Sequence, residues 1–337
     1  MNENKQSAVK RILGTRGMGA VVTAFVGLIV IYIAFGLIDQ NVFSGQNVMN
    51  LLRSMSKYLL IGVGQSYLLI TGNIDLSIGS MVGMSAMISA TMMTMGISPI
   101  AAMLAALFCC LCCGVVNGFL VGKFKLPPFI ATLGTMFVTR GAAYMVNNNR
   151  NTDAIATGIG KEAGDSFQNF FYYGKTFGIF NTFWIALILF LVFFFLLSKT
   201  RTGRHIYAIG SNVDAAKLSG VNVVTTTIKA YLVSSVCACV VGLILCAQAG
   251  MGNMEAGNMY EMYGVAAGVI GGISPLGGTG LLLGTFAGAA VWQTLENGLN
   301  MIGAQVGIQR LVIGIIVVFS VLLDVVVRSG NFGKKSS

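Results

Sequence analysis

Ser198–Thr226 reads SKTRTGRHIYAIGSNVDAAKLSGVNVVTT. It is a polar island between two apolar runs, and those neighbours decide the fold. Gly178–Leu197 precedes it and Ile228–Ala249 follows it, each about the ~20 residues a helix needs to cross a hydrocarbon core. The island holds the chain's only histidine, His205, and a dense group of cations. Within it, Asn212 is placed to cap a helix starting at Val213, with Asp214 in the first turn. Ala215 and Ala216 favour helix, and Gly220 offers a left-handed stop. The spacing predicts about two helical turns flanked by extended polar chain, a length marginal alone in water and held when docked against a partner. An ordinary loop with one stray helical turn is the competing reading.

The same alternation runs along the whole chain. Ala20–Ile38, Tyr58–Thr71, Ile78–Gly96, Pro99–Gly122, Phe129–Val146, Gly264–Ile273, Leu281–Leu295 and Val306–Val327 are further apolar segments, for about ten in all. Asp39–Lys57 is mixed in character, carrying Arg53 and Lys57, and reads as an interfacial helix on the outer side. Of the 337 residues, 55% are hydrophobic and 9% charged, against about 25% charged in soluble domains. The fold class is therefore an all-α polytopic membrane protein, a multi-pass protein of the lipid bilayer. Residues 1–19 are polar and basic, with no cleavage site closing the first apolar run, so they read as a retained cytoplasmic tail. Residues 20–327 form one transmembrane domain, and 328–337 form a second cytoplasmic tail.

The formal net charge is +10. In a soluble protein that would raise nucleic acid as a partner; here the cations sit in short segments between apolar runs, where orientation in the membrane accounts for them. With the N-terminus inside, fourteen of the 21 Lys and Arg fall on the inner side. Both termini and the island at 198–226 are then cytoplasmic, and 147–176, which shows no core pattern, is an external loop. Arg140 and Glu296 lie near helix ends and read as snorkelling to the interface. Asp324 and Arg328 stand four apart, in reach of each other on the last helix.

Two of the apolar segments are short and interrupted by glycine: GNIDLSIGS at Gly72–Ser80 and GGISPLGGTG at Gly271–Gly280. Backbone that leaves a helix at membrane depth must be buried in protein or face a water-filled cavity. Paired interruptions in the two halves of a chain point to a transport pathway. Asp75 in the first break either caps the next helix or lines that pathway, and the two roles are compatible. Polar, mostly uncharged residues around the breaks suit a neutral, polyhydroxylated cargo: Gln65, Asn73, Asp75, Ser77, Asn117, Thr132, Thr135 and Ser274 are the candidate lining.

No catalytic constellation is visible. The chain lacks H-E-x-x-H and G-x-S-x-G, and the near phosphate loop ending in Gly174–Lys175–Thr176 has Asn169 where its first glycine belongs. The seven cysteines, including the run CCLCC at 109–113, fall inside apolar segments and read as small packing residues, so no metal site is expected. The chain is not an enzyme on this reading and holds no cofactor. If ATP drives transport, the ATPase is a separate chain that binds the ATP and Mg.

At this point four motifs in order resemble a known family. They are Gly72–Gly79 (GNIDLSIG), Pro128–Thr135 (PFIATLGT), Thr202–Asn212 (TGRHIYAIGSN) followed by Ala215–Ala216 and Ser219–Gly220, and Gly271–Gly280. Together they resemble permease subunits of bacterial ABC importers of the ribose, galactose and xylose class, over essentially the whole chain. Asn73 stands where that family commonly carries glycine. The resemblance implies a bacterial inner-membrane permease that pairs with a second copy or a paralogue. It implies two cytoplasmic ATPase domains, an external sugar-binding protein and a monosaccharide cargo. It also implies that Arg201, Gly203, Arg204, Gly210, Asn212, Ala215, Ala216, Lys217, Ser219 and Gly220 meet the ATPase. The rival reading is an ion-coupled secondary carrier acting alone, which would want more buried ionisable groups than the sequence offers.

Overall fold

A computed structural model describes residues 18–312, 314–316, 318 and 322. The expected N-terminal tail to residue 17, the Asp324–Arg328 pair, the C-terminal tail and much of the segment Val306–Val327 lie outside the described residues. Twelve labelled helices carry the fold. In chain order they are α1 Met18–Ile38, α2 Gly45–Ile70, α3 Ile78–Thr94, α4 Pro99–Gly122, α5 Pro128–Met145, α6 Lys161–Gln168, α7 Asn181–Lys199, α8 Arg201–Ser211, α9 Val213–Leu218, α10 Val223–Ala249, α11 Tyr260–Ile270 and α12 Leu282–Met301. Further helix begins at Val306. A two-residue antiparallel hairpin, Lys175–Thr176 with Ile179–Phe180, precedes α7.

The helices sort into an inner and an outer set. α1, α4, α7 and α10 are each long and apolar enough to cross a membrane. The first three are largely exposed, offering Ile29, Val30, Leu104, Phe108, Ile188 and Phe195 to their surroundings, as lipid-facing helices must. α10 is mostly buried and packs on α2, α3 and α4; α11 and α12 close over α2, and α12 also meets α1. The core lies along α2, α3 and α10, around Tyr67, Met81, Met87 and Tyr231.

Three chain segments fold differently from the sequence reading. Asp39–Lys57 and Tyr58–Thr71 are not an interfacial helix and a short span: after one 3₁₀ turn at Gln40–Phe43 they are the single helix α2, opened by Ser44, whose hydroxyl accepts from the Asn47 amide at 3.2 Å. The two cations that suggested an interface find internal partners instead. The Arg53 guanidinium lies 4.5 Å from the centre of the Tyr172 ring and 4.1 Å from that of Phe180, and Lys57 Nζ donates to Gln248 Oε1 at 3.3 Å. Second, the region 147–176 does contribute to the core: Ile155, Phe167, Phe171 and Tyr172, on and beside α6 and the π-helical turn Asn169–Tyr173, are buried within the main hydrophobic cluster. Third, the chain before Asn212 is not extended: Arg201–Ser211 is the helix α8. Its buried stripe, Gly203, Ile206 and Ile209, recurs every third residue, a period hidden among arginines and small residues.

Candidate functional site

The break after α2 turns at Gly72, which takes φ +76°, while Asn73 sits beyond it with its side-chain amide on Thr71 Oγ1 at 2.8 Å. The left-handed residue is therefore Gly72, and Asn73 in place of glycine costs the turn nothing. The chain then enters a largely buried polar network. Asp75 Oδ1 accepts from the Ser77 amide at 2.8 Å and the Ser77 hydroxyl at 2.5 Å; Oδ2 accepts from the Ser234 hydroxyl of α10 at 2.7 Å. Asn117 of α4 donates to Ser77 Oγ at 2.8 Å and accepts from Thr135 of α5 at 2.7 Å. Thr132 Oγ1 receives the Leu76 amide at 3.1 Å, Gln65 Nε2 of α2 reaches the Asp75 carbonyl at 2.5 Å, and the Tyr231 hydroxyl of α10 reaches the Ile74 carbonyl at 3.0 Å.

Six of the eight predicted lining residues thus converge on one network: Gln65, Asp75, Ser77, Asn117, Thr132 and Thr135. Five helices meet there. Asp75 does the work of a helix cap, placing an acceptor where α3 begins with unpaired amides. Asn73 lies instead on a cavity of about 850 Å³, with Thr71, Lys123, Lys125, Lys217 and the start of α10. Ser274 belongs to the second break, where its hydroxyl receives the Leu276 amide at 3.2 Å and its amide donates to the Thr279 carbonyl at 3.1 Å.

The two breaks touch. The Gly278 amide donates to the Ile70 carbonyl at 2.8 Å, and a side chain at Gly277 would lie 3.1 Å from the Cα of Gly72. α8 joins them, its Tyr207 hydroxyl donating to the Gly280 carbonyl at 2.7 Å. Beyond α8, α9 forms as its caps predict. Asn212 Oδ1 accepts from the Ala215 amide at 2.9 Å, Lys217 pairs with Asp214 at 3.1 Å, and Gly220 takes φ +81°. Arg201, Arg204, Asn212, Ala215, Lys217, Ser219 and Gly220 are exposed, and Leu218 is 91% exposed. Gly203, Gly210 and Ala216 face inward: a Cβ on Gly203 would strike the Leu197 carbonyl, and Ala216 is buried.

The opposite end is strapped shut. Arg140 does not snorkel; its Nη1 donates to the Met254 and Ala256 carbonyls, each at 2.9 Å, drawing the segment after α10 across α3. Thr152 and Gly252 exchange hydrogen bonds of 3.0 and 2.8 Å, and Tyr144 donates to Glu255 at 2.6 Å. A cavity of about 470 Å³ opens there, lined by Lys57, Gln248, Asn253, Glu255 and Asn258. Ser234, Tyr231, Tyr207 and Arg140 carry these contacts and were not singled out for them by sequence. Ser234 and Tyr231 stand in an apolar helix where nothing local marks them, while Tyr207, the one aromatic residue of the island, was a visible signal.

Residues 47–321 match the family described as branched-chain amino acid transport system / permease component. The chain is 34% identical over 300 residues to the ribose import permease protein of Bacillus subtilis, covering 89% of this chain and 91% of that one. It is 31% identical over 303 residues to the D-allose transport system permease protein of Escherichia coli, covering 90% of each. It is 32% identical over 311 residues to the galactose/methyl galactoside import permease protein of Haemophilus influenzae, covering 88% and 92%. No solved structure matches the chain.

Proposed function

The chain belongs to the branched-chain amino acid transport system / permease component family, and from that premise we propose that it forms the passage for a monosaccharide in an ATP-driven importer. It is a permease subunit of an ABC importer, placed in the bacterial inner membrane, and not an enzyme. One observation carries the choice of cargo: relatives matched along nine-tenths of the chain are permeases for ribose, allose and galactose. The site agrees in kind. Its network is built of hydroxyls and amides with a single acid, which suits a neutral polyol and leaves little for ion coupling.

In this reading a second permease copy or a paralogue completes the passage. Two ATPase domains, carrying the ATP and Mg, dock on α9 at the basic end, which faces the cytoplasm. An external sugar-binding protein docks at the strapped end and selects the sugar. The exposed Leu218, the last residue of the capped helix α9, offers an apolar anchor for the ATPase groove. The passage on this reading is closed: Gln65, Asp75, Ser77, Asn117 and Thr132 are fully buried, and each is hydrogen-bonded within the protein. Sugar reaches the basic-end cavity beside Asn73 only when the break shifts.

Reconstitution tests this. The permease with its ATPase and binding protein should accumulate labelled monosaccharide in proteoliposomes only with ATP, and the permease alone should accumulate none. Proton-driven uptake by the permease alone would replace the reading with a secondary carrier.

A further inference from the structure

We propose that α8 is the relay tying both broken helices to the docking end of the chain, with Tyr207 and Gly210 as its positioning residues. The inference rests on reading the chain as an ATP-driven permease, and it assigns α8 a task distinct from docking.

Three backbones meet at the end of α8, with only the Ser211 side chain beside Gly278. A Cβ on Gly210 would overlap the Ile70 carbonyl oxygen and lie 2.5 Å from the Gly278 amide. A Cβ on Gly277 would lie 2.9 Å from the Gly210 carbonyl and 3.0 Å from the Gly72 amide. The Gly278 amide is hydrogen-bonded to the Ile70 carbonyl, and Tyr207 spans from one turn earlier to the Gly280 carbonyl. The last turn of α2, the first break, the second break and α8 are thus one knot. Side chains that change rotamer can absorb a small displacement, whereas backbones in direct contact pass it on.

The other end of the relay is as direct. Asn212 closes α8, its amide donating to the Ala208 carbonyl at 3.0 Å, and opens α9, its Oδ1 accepting from the Ala215 amide at 2.9 Å. In the chain, Asn212 is the one residue between α8, which ends in the knot, and the exposed helix α9. α8 is held along its length, with Gly203 seated on the Leu197 carbonyl and Ile206 and Ile209 buried. A partner that displaces α9 therefore moves Ile70 and Gly278–Gly280 together, at the ends of both interrupted helices.

Tyr207→Phe keeps the ring and removes the hydroxyl. In proteoliposomes holding the full importer, with sugar uptake and ATP hydrolysis measured together, sugar carried per ATP should fall about fivefold, the weight of one net hydrogen bond in the coupling. Gly210→Ala should lower the same ratio. An unchanged ratio in Y207F, whether both rates hold or fall together, overturns the proposal, since a merely structural loss lowers both alike. Absence of ATP-dependent uptake in the wild type would instead sink the transport reading. A second measurement needs no variant: hydrogen exchange in the wild-type complex should show peptides over 204–212 and 273–281 changing protection together when nucleotide binds. Independent changes overturn the relay.

Discussion

Removing the Asp75 carboxyl group measures how firmly the buried network holds the start of α3. The group accepts three hydrogen bonds: from the Ser77 amide, the Ser77 hydroxyl and the Ser234 hydroxyl. Asp75→Ala strands all three donors, in residues with no solvent exposure. A buried donor without a partner costs about 1–3 kcal/mol. Ser234 can turn its hydroxyl back to a carbonyl on its own helix, which leaves the two Ser77 donors and a net cost of about 3–4 kcal/mol. At about 2–4 °C per kcal/mol for a chain this large, the unfolding midpoint should drop by about 10 °C. Asp75→Asn keeps one oxygen for Ser77 and turns an N–H₂ toward the Ser234 oxygen, so its cost should stay within about 1 kcal/mol, or ~3 °C. Thermal unfolding in detergent, followed by far-ultraviolet circular dichroism, gives both numbers. The reasoning is refuted if alanine matches the wild type, or if asparagine is as damaging as alanine. Uptake by D75N, stable but with its donors rearranged, then separates capping from a further role in the passage.

Arg140→Lys gives up a guanidinium nitrogen that serves the Met254 and Ala256 carbonyls at once; the segment at 251–259 should open more often and be cut by protease at least about tenfold faster, and an unchanged rate would remove Arg140 from the strap. Leu218→Asp alters an exposed side chain and should leave folding intact while weakening capture of the ATPase, whereas Gly203→Asp drives a side chain into the Leu197 carbonyl and should lower the yield in the membrane. Expression levels and pull-down tell the two apart, and strong ATPase capture by L218D would count against α9 as the contact. Burial pushes the Tyr207 hydroxyl up to about 12, above the ~10 of an unfolded chain. The folded state therefore keeps a proton the unfolded state loses, so this contribution is full below about pH 10 and is lost as pH rises through about 12. Relative to Y207F, the wild-type midpoint should fall over that window; parallel curves would show that the hydroxyl is not held.

Much of the architecture was legible because its signals are local. A run of about twenty apolar residues reports a membrane-crossing helix wherever it stands, so α1, α4, α7 and α10 were in plain view. Capping acts over three residues, and Asn212 and Gly220 bound α9 as their chemistry requires. The two glycine breaks were equally visible. Where local signals conflicted with distant partners, the reading failed. Arg53 and Lys57 suggested an interface because nothing near them in sequence shows Tyr172, Phe180 or Gln248 waiting to receive them.

The sequence by itself determined that this chain is a bundle of apolar helices with two interruptions and one polar island. Periodicity, capping and transfer free energy depend on residues a few positions apart. Only the tertiary structure decided that Asp75 meets Ser234 across 159 residues, that the two breaks touch at Ile70 and Gly278, and that Tyr207 and Gly210 bind the island to both. Those pairings come from which helices the fold brings side by side, a choice set by packing and by hydrogen-bond satisfaction over the whole molecule, which no single stretch of sequence encodes.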